Sequence, residues 1–142
     1  MYFGVHHVQL TCPAGSEDTL RTFYGELLGM AEVAKPARLA ARGGCWFRLD
    51  GQPGIELHLG VEAEFRPARK GHPGIVWGDL ESLRSLADRL TAAGHGVTWD
   101  EELHDHPMRL NGAEGSPVNP AGMHRFYVDD PHGNRIEFLA PR

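Results

Sequence analysis

Cysteine is scarce in this 142-residue chain: there are only two, Cys12 and Cys45, and neither belongs to a C-x-x-C or other framework spacing. A disulfide scaffold is therefore not expected. The pair fits a reducing cytoplasm in which both thiols act as small, partly buried hydrophobes. Basic residues are also in the minority. Fourteen Lys and Arg face nineteen Asp and Glu, a formal charge of -5, which argues against a nucleic-acid-binding surface and leaves no polybasic membrane anchor. Neither end carries an uninterrupted apolar run, so no signal peptide and no transmembrane helix is expected. A chain this long buries roughly two-thirds of its unfolded surface, enough for a core without a metal or disulfide staple. Against these shortages stand nine histidines, and the question is which of them are more than surface residues.

The hydropathy pattern reads as two similar modules. Phe3–Thr11 alternates as a strand, with Val5, His7 and Gln9 on one face and His6, Val8 and Leu10 on the other. Ser16 is a good N-cap, followed by Glu17 and Asp18 where the helix dipole favours negative charge. Leu20, Phe23, Tyr24, Leu27 and Leu28 then form an amphipathic stripe that Gly29 closes. Extended pieces follow over 30–34, 44–50 and 54–59, the last two joined by the turn signal Asp50-Gly51-Gln52-Pro53-Gly54. Phe65–Lys70 is a basic connector. The pattern then restarts with a strand over 72–78 and a helix capped by Asp79 with the stripe Leu83, Leu86, Ala87 and Leu90. Gly94 and Gly96 end that helix, and Val97–Trp99 extends. A hairpin pairs Arg125–Val128 with Arg135–Leu139 around Asp129-Asp130-Pro131-His132-Gly133-Asn134. Only Glu101–Gly122 lacks periodicity, as a lid or binding loop would.

The order β-α-β-β-β thus occurs twice, over 1–66 and 70–142. His7 and His72 open the modules, Gly29 and Gly94 each follow 22 residues later, and Ile55-Glu56 and Ile136-Glu137 close them. The helical stripes superpose with an offset of 63 residues and the histidines with 65, so the register is imperfect. If a pseudo-twofold axis relates the modules, His7 meets His72 and Glu56 meets Glu137 in one concavity. Two imidazoles and two carboxylates on rigid strands make a divalent metal site. The plain alternatives are half-buried hydrogen-bonded histidines and solvated edge carboxylates, though two buried carboxylates without a cation are costly. His58 shares a strand face with Glu56 and competes with it as fourth ligand. Its repeat equivalent is Leu139, which favours Glu56 and leaves His58 as a pocket residue. His95, His104, His106 and His132 fall in turns or loops, and His124 opens a strand near the pocket.

The segments H-H-V-Q-L, F-Y-G-E-L-L-G-M, G-H-P-G-I-V and F-Y-V-D-D-P-H-G-N-R-I-E-F together resemble the vicinal oxygen chelate superfamily. That group holds glyoxalases, bleomycin-resistance proteins, fosfomycin-modifying enzymes and extradiol dioxygenases. The resemblance spans nearly the whole chain, and the closing D-P-x-G-N-x-I-E is its most specific piece. It implies an α+β fold: two paired βαβββ modules forming one domain, a curved eight-stranded mixed-sheet cup with helices outside and a metal within. His7, Glu56, His72 and Glu137 match the family's four metal positions. One divalent ion per site is implied, with Zn, Ni, Fe, Co and Mn all suited to such ligands.

The resemblance further implies a small-molecule substrate with adjacent oxygens, and lyase or isomerase chemistry through a metal-stabilised enolate or enediolate. Glu137 or Glu56 is the general base. His58, Arg125 and Tyr127 are the pocket candidates, Arg125 being best placed to meet an anion. Two other readings stand beside this one. An extradiol dioxygenase commonly carries four modules rather than two, and a non-catalytic drug-binding protein of the bleomycin-resistance type typically lacks the ligands. A homodimer is implied, with the site formed inside one chain or between two.

Overall fold

The computed structural model describes residues 1, 4–50, 54–100, 108–109, 118–119 and 122–142. Phe3, the tip of the turn at Gly51–Pro53, His104, His106 and most of the 101–122 loop lie outside the described residues. Two compact units are present: Met1–Arg69 with Asp130–Asn134, and Lys70–Asp129 with Arg135–Arg142. Among the described residues, no helix is long and apolar enough to cross a membrane.

The first unit runs β1 (His7–Cys12), α1 (Glu17–Leu20), a π-helical continuation (Arg21–Leu27), β2 (Ala31–Val33), α2 (Ala37–Ala40), β3 (Cys45–Leu49) and β4 (Ile55–Val61). Its sheet has the order β1-β4-β3-β2, with β1 parallel to β4 and the other pairs antiparallel. The second unit runs β5 (Gly74–Val76), α3 (Leu80–Ala92), β6 (Val97–Trp99), β9 (Met123–Asp129) and β10 (Arg135–Pro141), in the order β5-β10-β9-β6. A two-stranded pair, β7 (Met108–Arg109) and β8 (Val118–Asn119), lies between β6 and β9 in sequence. The two four-stranded orders superpose strand for strand, so the doubled βαβββ pattern is a doubled topology.

Each sheet has an apolar face and a polar one, as period-2 alternation requires. In the second unit Ile136, Phe138, Ala140, Phe126 and Val128 are buried, and α3 packs behind them with Leu83, Leu86, Ala87 and Leu90. Asp79 caps that helix as expected, its Oδ1 accepting from Ser82 N at 2.8 Å. In the first unit Cys45, Phe47, Leu57 and Leu59 are buried, as are Leu20, Phe23, Tyr24 and Leu28. The ring of Tyr24 stacks on Phe47 at 5.4 Å. Full burial of each such side chain contributes about 1.5–3 kcal/mol, which makes this face the source of sheet stability.

Three local expectations are corrected. Ser16 stands at the N-cap position without a side-chain cap: its Oγ donates to Pro13 O at 2.7 Å, and no side-chain cap bond forms. From Arg21 the helix widens to π winding, with Leu28 N donating to Phe23 O. That shift in phase leaves Leu27 only half-buried. The register of the repeat also differs from the alignment of histidines. Glu56 pairs with His7, whereas Glu137 pairs with Gly74. The residue occupying the place of His7 in the second unit is therefore Gly74, and His72 lies two residues earlier, ahead of β5.

Candidate functional site

The polar face of the first sheet carries His7, Glu56, His58, Arg48 and Trp46. His7 and Glu56 are register partners on β1 and β4, and Arg48 and Trp46 stand opposite Glu56 and His58 on β3. Glu56 is held at both oxygens: Oε1 accepts from Arg48 Nη2 at 3.2 Å, and Oε2 lies 2.9 Å from His58 Nε2. An ionised carboxylate only accepts, so His58 Nε2 carries a proton. The His58 bond, and then that from Arg48, keeps the Glu56 carboxyl below the usual carboxylate range.

His58 itself is 5% exposed and lies between two flat rings. Trp46 stacks on one face at 4.0 Å and His7 on the other at 4.3 Å. Lys35 Nζ sits 5.7 Å over the Trp46 ring. His7 Nδ1 is 2.9 Å from His6 Nδ1. Alternation would part those two rings, but β1 begins only at His7, so the strand rule does not reach His6.

The second sheet presents Glu137, Arg125, Tyr127 and Arg135 on its polar face, with His72 beside them. Glu137 likewise has a partner at each oxygen, Arg125 Nη1 at 3.0 Å and His72 Nε2 at 3.4 Å. Arg125 is two residues from Tyr127, the register partner of Glu137, so it reaches the carboxylate diagonally. Tyr127 meets His72 edge to face at 5.6 Å. His124 lies on the other face, with Phe126 and Val128.

His72 Nδ1 lies 2.6 Å from the Lys70 carbonyl oxygen. A carbonyl only accepts, so Nδ1 bears a proton, and Nε2 faces the Glu137 carboxylate. Nε2 and Oε2 stand 3.4 Å apart, a pair that either a proton on Nε2 or a metal ion between them would satisfy. That span is also the donor spacing produced when one ion is bound by bonds of about 2.0–2.2 Å in tetrahedral geometry. His72 Nε2 and Glu137 Oε2 are thus spaced as two ligands of one divalent ion would be. In the first unit His7 and Glu56 supply one imidazole and one carboxylate. Among the described residues, no group of three or more His, Cys, Asp or Glu stands together that could hold a metal ion.

One contributor was not read from the sequence. Asp130, 4% exposed, accepts four hydrogen bonds. Tyr24 OH and Asn134 Nδ2 reach Oδ2 at 2.8 and 2.9 Å, and His132 N and Asn134 N reach Oδ1 at 2.8 and 2.9 Å. Gly133 turns with φ 90°. The D-P-H-G-N segment is thus a buried carboxylate knot that orders the turn before β10. Burial, and then the neighbouring Asp130 charge, raises the Tyr24 hydroxyl well above its ordinary pKa.

The family model described as Glyoxalase/Bleomycin resistance protein/Dioxygenase superfamily matches residues 4–138. Among solved structures, a protein assigned to the glyoxalase family from Bacillus anthracis is 36% identical with a TM-score of 0.79, covering 100% of this chain and 98% of that one. The fosfomycin resistance protein FosX from Listeria monocytogenes shares the fold at 12% identity and a TM-score of 0.70, covering 100% and 94%. Lactoylglutathione lyase from Agrobacterium tumefaciens does so at 19% identity and a TM-score of 0.60, covering 96% and 92%. No curated protein matches the chain. With the doubled βαβββ topology, the match over 4–138 and the 36% identical structure in agreement, the chain belongs to the glyoxalase/bleomycin resistance protein/dioxygenase superfamily.

Proposed function

We propose that the protein is a metal-dependent enzyme of glyoxalase type, a lyase or isomerase acting in the cytoplasm on a small molecule with adjacent oxygens. His7, Glu56, His72 and Glu137 are its ligand set, completed within one chain or between two chains of a homodimer. The observation that carries the reading is His72 Nε2 set 3.4 Å from Glu137 Oε2, with Nδ1 fixed by the Lys70 carbonyl. A bound divalent ion would supply Lewis acidity toward two neighbouring substrate oxygens.

The chain's own residues do the rest. Glu137, held at Oε1 by Arg125, is the base that takes a substrate proton. The guanidinium keeps it aimed while the proton is on and off. Glu56 is locked as a carboxylate by Arg48 and His58, so it is suited to binding a cation rather than to moving a proton. Tyr127 packs against the His72 ring and limits its rotation.

The test is exchange of the proton beside a carbonyl. Metal-loaded protein should catalyse metal-dependent washout of that proton into deuterated water, followed by NMR on a panel of α-hydroxy ketones and hemithioacetals. Glu137→Gln should abolish it. Washout that persists in Glu137→Gln would overturn the assignment of the base. A second reading, a non-catalytic binder of flat molecules, is favoured by the Trp46–His58–His7 stack. It predicts equal ligand affinity with and without metal.

A further inference from the structure

We propose that Arg135 and Tyr127, with Thr98, form a subsite for one small anionic group of the substrate, a carboxylate or phosphonate. The inference rests on the metal-centred reading of the same sheet face. A cavity of about 220 Å³ is lined by Gly96, Thr98, Tyr127, Val128, Asp129 and Arg135. Whole ligands occupy roughly 300–1,000 Å³, so this space suits one group of a ligand rather than all of it.

Arg135 supplies the charge. Its guanidinium carbon lies 5.7 Å over the Tyr127 ring, and among the described residues it enters no ion pair. The ring orients a planar fork that is built to grip an anion at two points. The arginines beside the two candidate carboxylates are committed to them. Arg125 serves Glu137 and Arg48 serves Glu56. The cavity of about 520 Å³ in the first unit has Arg21 on Glu32 and Lys35 on the Gly43 carbonyl.

Position ties the subsite to the candidate centre. Tyr127 touches His72 by its edge and Arg135 by its face, and Thr98 is its register partner on β6. Arg135 precedes Glu137 by two residues on β10, hence on the same face and about 7 Å away along the strand. The substrate class that fits carries adjacent oxygens at one end and an anionic group roughly 7 Å from them. Asp129 also lines the cavity, and its charge opposes an anion. Substitutions at the two charged positions should therefore act in opposite directions.

The first experiment uses metal-free protein and inorganic phosphate, followed by NMR of the Tyr127 ring and Thr98 amide. Saturable shifts are expected in the wild type. Arg135→Gln should weaken binding about tenfold, the scale of a charge-assisted contact, and Asp129→Asn should tighten it. No saturable shift, or one affinity for all three proteins, overturns the subsite. The second experiment uses metal-loaded protein and two probes, 2-oxopentanedioate and 2-oxopentanoate, which share a chelating end and differ in the distal carboxylate. The wild type should prefer the diacid by about tenfold, and Arg135→Gln should bring the ratio toward one. An undiminished preference in Arg135→Gln also overturns the proposal. Failure of the metal reading would instead show as metal-independent binding of both acids, while the phosphate titration still decides the subsite.

Discussion

Replacing Tyr24 by Phe removes one oxygen atom and no other packing. The hydroxyl is fully buried and donates to Asp130 Oδ2 at 2.8 Å. A hydrogen bond to a charged acceptor contributes about 1.5–3 kcal/mol. Asp130 keeps its bonds to His132 N, Asn134 N and Asn134 Nδ2, so its charge is not abandoned. The loss should accordingly fall near 2 kcal/mol, or a Tm lower by roughly 5–8 °C for a chain of this length. Urea unfolding followed by tryptophan fluorescence measures it, with the slope against denaturant unchanged.

The pH dependence provides a second check. Because the folded state raises the Tyr24 pKa, it holds the phenolic proton more tightly than the unfolded chain does. The contribution of this hydroxyl is complete below about pH 10 and is lost as pH rises above it. The gap between wild type and Tyr24→Phe should therefore be constant at neutral pH and close above about pH 10. A neutral-pH difference below about 0.5 kcal/mol, within the range of an ordinary surface substitution, or a gap that does not narrow in alkali, would refute the buried-knot account.

Two other substitutions test the backbone around the sites. A Cβ on Gly74 would lie 3.3 Å from both Glu137 Oε2 and Leu139 Cδ1, while the backbone there is not left-handed. Gly74→Ala should fold normally yet lower metal affinity about tenfold by shifting the carboxylate, as read by competition with a chelator; unchanged affinity would remove Gly74 from the account. At Gly44 φ is +76° and a Cβ would sit 2.0 Å from Leu59 O, so Gly44→Ala should cost at least about 2 kcal/mol in urea unfolding. A cost below about 0.5 kcal/mol would show that the β3 entry is far more pliant than drawn.

Much of the architecture was legible because it is periodic. The α3 stripe, the Asp79 cap and the alternation of β9 and β10 all follow from residue spacing, and the structure bears them out. Register is a different matter, because a period of two reports the face and not the partner. His7 and His72 could therefore be taken as repeat equivalents although the sheet sets Gly74 against Glu137; a displacement of two residues leaves the face unchanged. The four-residue α2 is too short to show a period. Non-local contacts left no trace in spacing either. The Trp46–His58–His7 stack joins three strands, and the Tyr24–Asp130 bond spans 106 residues.

The central claim is that His72 and Glu137 hold a divalent ion in partnership with His7 and Glu56. Elemental analysis of gently purified protein, repeated after stripping and reconstitution, tests it most directly. The account predicts about one divalent ion per chain in the wild type. Glu137→Gln should hold almost none while keeping the wild-type circular dichroism. No bound ion after reconstitution, or full occupancy in Glu137→Gln, would contradict it.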